Sequence, residues 1–212
     1  MGGGYHRRWP CLLYRTRPCY GQREPEEETP SKPRGNTDNL YHFISQVYKP
    51  IIAAINGYAL AQGAGIALLC DIRITSENAQ FGWPQVKRGI ASMSGPTILA
   101  HYVPLGSAFK FLFTGEFCDA QEAYRIGLVQ EVVPEGKALE RADEMVRGIV
   151  ENCAPLAVRS IKEAAITGRS FPDFGERLKN SSKVNQQMRG NEDSVEGLKA
   201  FAEKRKPVFK GR

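Results

Sequence analysis

The sequence predicts an α/β fold: a core of short strands alternating with helices, followed by a helical C-terminal region. Three observations predict it. An apolar run, Ile51-Ile-Ala-Ala-Ile55, meets a turn at Asn56-Gly57, passes through small residues and enters a short apolar helix. Further strand-like segments alternate with helical ones as far as Pro134. Beyond Pro134 the apolar residues recur at helical spacing only.

Residues 1–39 mix Arg, Pro and Gly with an acidic cluster, Glu24 to Glu28, and show neither strand nor helix period. They are expected to be a poorly ordered extension. Five arginines without an acid in residues 1–23 also suit a mitochondrial leader. Pro10, Pro18 and the absence of serine before Ser31 favour the extension and a cytoplasmic location. Leu40, Phe43, Ile44 and Val47 have helical spacing, and Lys49-Pro50 ends that helix. The core is expected over 40–134. Strands follow at 51–55, 71–76, 79–82 and 128–133. A small-residue loop is expected from Ala59 to Gly65, with a helix over Ile66 to Cys70. Pro96 opens another helix, and 108–113 continues helically. Asp119 caps a helix over 120–126 that Gly127 ends. Residues 135–212 form four helices, the last capped by Ser194; their apolar faces suit core or subunit contacts.

Bulk properties exclude several function classes. The chain has 212 residues, enough for one domain with a helical appendage. Its five cysteines are an odd number without a close pair, which suits reduced thiols. No apolar run is long enough for a membrane span. The net charge is +6, but residues 49–200 are balanced. Residues 201–212 hold five basic side chains against one acidic, too short a tract for a nucleic-acid footprint yet sufficient for a few phosphates. A solvated charged tail is the plainer alternative.

The chemistry-bearing stretch runs from Lys49 to Asp71. A strand passing through a glycine-containing turn into a helix exposes backbone N–H groups, which attract anions and can hold a developing oxyanion. Small residues let a ligand approach the backbone. A packing turn in any α/β protein carries the same pattern.

Four downstream blocks extend it in order: Ala79-Gln-Phe-Gly-Trp-Pro84, Leu112-Phe-Thr-Gly-Glu116, the segment 120–129 and the segment 192–210. From about Lys49 to its end the chain resembles the crotonase superfamily, the enoyl-CoA hydratase/isomerase enzymes. The resemblance implies a spiral of ββα units, incomplete at the N-terminus, whose C-terminal helices build a homotrimer or hexamer and cover coenzyme A. It implies an acyl-CoA thioester as ligand, with no cofactor beyond the coenzyme A of the substrate. Two backbone N–H groups would hold the thioester oxygen as it becomes an enolate. One falls at Gln62, beside Gly63; the segment for the other has no counterpart between Met1 and Val47. The two glutamates of the hydratase pattern fall at Gly65 and Gln85, and neither glycine nor glutamine exchanges a proton at neutral pH. Gln85 either orients a water or carbonyl, or bonds to backbone. Ala59, Leu60 and Pro84 flank these positions and are assigned to substrate binding, as is Arg88, which suits a substrate carboxylate. Lys87, Ser92 and Ser94 read more readily as surface charge or helix caps. Phe201 and Lys204 fall where the resemblance places the CoA adenine and phosphates.

Two function classes remain open. One is a noncanonical acyl-CoA transformation through a thioester enolate. The other is a catalytically inactive family member serving as a CoA-binding or oligomer subunit.

Overall fold

The computed structural model describes residues 12–15 and 37–212. Most of the expected extension at 1–39 lies outside the described residues. Within it, Leu12–Arg15 form a strand, β1, that had no signal in the periodicity. It borders β2 (Ile51–Ile55), whose edge would otherwise leave backbone groups unpaired.

The chain divides into two compact units. The first, over the described residues 13–15, 37–47 and 51–143, carries two sheets. After α1 (Thr37–Ser45) come β2 and then β3 (Tyr58–Leu60), which belong to different sheets. Helix α2 (Gln62–Leu69) returns the chain to the first sheet through β4 (Ile72–Ser76), and β5 (Gln80–Gly82) enters the second. A 3₁₀ turn (Pro84–Arg88), a π-helical turn (Gly95–Leu99), α3 (Ala100–Tyr102) and α4 (Leu105–Thr114) follow. Then β6 (Phe117–Asp119) adds to the second sheet, α5 (Ala120–Arg125) crosses, and β7 (Glu131–Val133) adds to the first. The sheet orders are β1-β2-β4-β7 and β3-β5-β6. β2–β4, β4–β7 and β3–β5 are parallel, while β5–β6 is antiparallel. This strand–strand–helix alternation is the expected ββα spiral.

Local chemistry explains the register. All five residues of β2 are buried, so its continuous apolar run suits a parallel strand covered on both faces. Asp71 locks β2 to the start of β4: its Oδ2 accepts from Ile51 N at 2.7 Å and its N–H donates to Ile51 O at 2.8 Å. Arg73 is buried and donates to Leu128 O (2.5 Å) and Cys70 O (2.7 Å), with its guanidinium 5.4 Å from the Tyr102 ring centre. Burial lowers its pKa, opposed chiefly by Tyr102.

Two expectations in the first unit shift. The small-residue segment 59–65 is not a loop: β3 ends at Leu60 and α2 begins at Gln62. Backbone pairing with β5 overrides the turn propensity of these small residues. In and just after α1, Tyr41, Ile44 and Val47 pack on the core, whereas Leu40 and Phe43 are exposed. The apolar stripe is therefore offset from the one the spacing gives.

The second unit, described here over 48–50 and 144–212, is helical. Its helices are the end of α6 (Ala138–Asn152), then α7 (Pro155–Gly168), α8 (Phe174–Gln186) and α9 (Glu192–Ala202). Asn180 Nδ2 donates to Thr167 Oγ1 at 2.7 Å, joining α8 to α7. Asn191, not Ser194, caps α9: its Oδ1 accepts from Ser194 N at 2.7 Å, placing Ser194 inside the first turn. Buried Asp193 accepts from the backbone of Lys210 (2.6 Å) and Gly211 (2.8 Å), pinning the chain end to α9.

Removing that anchor leaves two backbone donors without their carboxylate. Asp193→Ala is expected to cost about 2–3 kcal/mol. Amide hydrogen exchange should show protection lost first at Lys210 and Gly211; unchanged protection there would show that the tail is held by something else.

Candidate functional site

The candidate site lies in the first unit, where β3 turns into α2. Ala61 has φ 52° and ψ −112°, a left-handed conformation unusual for alanine. Three hydrogen bonds hold it. Ala61 N donates to Gly82 O at 2.8 Å, and Ala61 O accepts from Gly65 N at 3.0 Å and from Ser94 Oγ at 3.2 Å. Ser94 is buried, and its Oγ also accepts from Trp83 Nε1 at 3.0 Å. Ser94 therefore tethers the entry to α2 to the segment after β5. Reading it as a helix cap missed this, because the partners lie 33 and 11 residues away.

The consequence is electrostatic. Ala61 turns the chain so that Gln62 and Gly63 occupy the first turn of α2, where backbone N–H groups have no intrahelical acceptor. Helix dipole and N–H groups together favour an anion or a polarised carbonyl there. Gln62 is exposed, Gly63 is half-buried, and the space beside Gly63 is open. Ala59 is buried within β3, and Leu60 is half-buried at its end.

Gly65 lies one turn into α2. A Cβ there would stand 2.5 Å from the Tyr41 hydroxyl and 2.6 Å from Ser94 Cβ. The space is occupied, so the glycine is a steric requirement. Tyr41 sat outside the apolar stripe read from the sequence; only the fold brings it to α2.

Pro84 starts the 3₁₀ turn that carries Gln85 and Arg88. Gln85 Oε1 is buried and has no donor, as is Asn56 Oδ1. A buried acceptor without a donor is costly and suits a ligand O–H or a water. Arg88 is exposed. Beside this turn lies an apolar groove of about 400 Å³, whose walls include Trp83, Val86, Ile90, Phe109 and Phe113. Phe109 and Phe113 stack with ring centres 4.7 Å apart. Trp83 belongs both to this groove and, through Nε1, to the Ser94 tether.

Phe201 and Lys204 lie in the second unit. Phe201 is 87% exposed at the end of α9. Lys204 follows with φ 52° and is also exposed. Much of the basic tail is already engaged. Arg205 donates to Glu196 (2.6 and 2.9 Å) and to Glu203 (2.6 Å). The Arg205 hydrogen bond and the Val208 backbone pull the Glu196 pKa down to about 2.

Burial, reinforced by Glu122 and Asp119, pushes the Cys118 thiol up to about 12, and Cys70, at the C-cap of α2, donates to Ile66 O. Among the described residues no cluster of His, Cys, Asp or Glu could hold a metal ion.

The family model described as Enoyl-CoA hydratase/isomerase matches residues 20–212. The (E)-benzylidenesuccinyl-CoA hydratase of Thauera aromatica is 42% identical over 167 residues, 78% of this chain and 64% of that protein. The short-chain-enoyl-CoA hydratase of Clostridium acetobutylicum is 39% identical over 177 residues, 82% of this chain and 67% of that one. The crystal structure of enoyl-CoA hydratase from Bacillus anthracis superposes with a TM-score of 0.79 at 36% identity, covering 83% of this chain and 68% of that one. The chain thus spans about two thirds of the length of such relatives.

Two glycine substitutions separate the crowded position from the open one. Gly65→Ala is expected to lower stability by about 1–3 kcal/mol through overpacking. Gly63→Ala, with open space around it, is expected to be neutral or to stabilise by up to about 1 kcal/mol. Denaturant titration reads both; equal effects would mean that Tyr41 and Ser94 give way freely.

Proposed function

The chain belongs to the enoyl-CoA hydratase/isomerase family, and on that premise we propose that it binds an acyl-CoA thioester and transforms it through a thioester enolate. The observation that carries the reading is the start of α2. Ala61 is held in a strained conformation at the entry to α2, whose first turn begins with Gln62 and Gly63, and a Cβ at Gly63 would meet open space. Donors fixed before the reaction stabilise the enolate without reorganising. The apolar groove lined by Trp83, Ile90 and Phe109 suits the acyl group. Gln85 Oε1, buried and lacking a donor, suits a hydroxyl or water on the substrate.

The reaction is not ordinary hydration by two carboxylates. The resemblance puts those carboxylates at positions 65 and 85, and this chain has glycine and glutamine there. Turnover of crotonyl-CoA is expected to fall on the order of 10²-fold or more below a typical enzyme rate of about 10 per second. A spectrophotometric hydration assay measures this, and a rate near 10 per second would defeat the reading. The second reading, an inactive CoA-binding subunit, is favoured by the same two residues. It separates from the first by thioester binding without any change at the α-carbon.

No cofactor beyond the coenzyme A of the substrate enters this reading. Coenzyme A brings phosphates and an adenine, for which Lys204 and the exposed face of Phe201 are the candidates. Lys204→Ala is expected to weaken CoA binding by about 1 kcal/mol, roughly fivefold, and to reduce its salt dependence. Titration calorimetry at two ionic strengths decides; equal affinities would leave the tail as solvated charge. Exposed apolar residues on the C-terminal helices, including Phe174, Leu178 and Leu198, support self-association, which the resemblance implies as a homotrimer or hexamer. Light scattering giving a monodisperse monomer would count against assembly.

A further inference from the structure

We infer that the acyl group taken by this site is uncharged, apolar and larger than crotonyl, and that the aromatic wall of α4 selects for it. The inference rests on the acyl-CoA reading above and adds the class of acyl tail. The groove beside the 3₁₀ turn has a volume of about 400 Å³, whereas an apolar cavity of about 150 Å³ is enough for benzene. A crotonyl tail is smaller than benzene and would leave most of the groove unfilled. The walls set the chemical class. Trp83 is buried, while Val86 and Ile90 from the segment after β5, and Phe109 and Phe113 from α4, are exposed. Among the described residues no charged side chain lines the groove; Arg88, the candidate for a substrate carboxylate, is not part of the lining. The one hydroxyl among them belongs to Ser92, whose Oγ accepts from Gly95 N at 3.1 Å. A carboxylate entering here would lose hydration without gaining a cation.

Trp83 ties this groove to the entry of α2. It follows Gly82, whose carbonyl accepts from Ala61 N at 2.8 Å. Its Nε1 donates to Ser94 Oγ at 3.0 Å, and Ser94 Oγ donates to Ala61 O at 3.2 Å. One wall of the groove is therefore two hydrogen bonds from the Ala61 carbonyl. On α4, Phe109 and Phe113 stand one turn apart with ring centres at 4.7 Å and planes within 12°, so together they present one aromatic face. Phe113 is 70% exposed and Ile90 57%. Apolar surface gathered in a groove and left open to water marks a binding site, and an uncharged tail covers it at no desolvation cost.

The test is calorimetric binding of thioesters that share coenzyme A and differ only in the tail: butyryl-, octanoyl-, phenylpropanoyl- and adipoyl-CoA. Each methylene fully removed from water is worth about fourfold in affinity. The groove is partly open, so octanoyl-CoA is expected to bind about tenfold or more tighter than butyryl-CoA. Adipoyl-CoA, whose tail ends in a carboxylate, should gain nothing over butyryl-CoA. Phenylpropanoyl-CoA above octanoyl-CoA identifies an aryl tail, and the reverse order an alkyl one. Phe113→Ala removes an exposed ring; it should leave butyryl-CoA affinity and the thermal midpoint unchanged and cut the octanoyl-to-butyryl ratio about threefold or more. Ile90→Arg supplies a cation and should shift preference toward adipoyl-CoA. Equal affinities across the series, or tightest binding of adipoyl-CoA by wild type, overturn the inference and leave the acyl-CoA reading standing. Absence of binding by every thioester removes both. An unchanged order of affinities in both variants overturns the assignment of these walls. Should Phe113→Ala keep the ratio but lose self-association in light scattering, the groove is covered by a second copy of the chain and the inference falls.

Discussion

The candidate site depends on the backbone of Ala61. A residue with a Cβ at φ 52° and ψ −112° costs on the order of 1–3 kcal/mol. The neighbouring structure must therefore impose that conformation. Gly82 O takes its N–H, while Ser94 Oγ and Gly65 N converge on its carbonyl. These contacts come from β5, from the segment before the π-helical turn and from α2 itself. Two of the three, from Gly82 and Ser94, are long-range, so residues outside β3 and α2 help to impose this conformation.

The same construction explains why the surroundings are small. Gly65 must lack a side chain because Tyr41 and Ser94 already fill its space. The two sheets position these parts: β4, paired with β2, takes up the chain after α2, while β3 and β5 bring Ala61 and Gly82 within hydrogen-bonding distance. Asp71 fixes the β2–β4 register by bonding Ile51 at both its N–H and its carbonyl. The polar network ends on an apolar groove through Trp83, whose indole has one edge in each.

The C-terminal unit carries a separate constraint. Asp193 is buried, and its carboxylate takes two backbone N–H groups of the chain end. Glu196 holds Arg205 through two hydrogen bonds. The basic tail is thus partly neutralised and ordered by acids on the first two turns of α9. The net charge of residues 201–212 overstates the cationic surface that they leave for phosphates.

Sequence alone determined the alternation of strands and helices, since hydrophobic period and turn residues are local properties. It placed β2, β4, β5 and the Asp119 cap closely, and it singled out Gln62, Gly63, Gly65 and Gln85 as positions of interest. It misplaced the start of α2, because small residues signal a loop when the pairing strand β5, 22 residues later, is not considered. It offset the stripe of α1, where Leu40 and Tyr41 are both apolar enough to face inward and only packing selects Tyr41. The meeting of Tyr41, Gly65 and Ser94, the strain at Ala61 and the unpartnered oxygen of Gln85 were decided by tertiary structure. Each is a relation between atoms far apart in the chain, and no local pattern encodes such a relation.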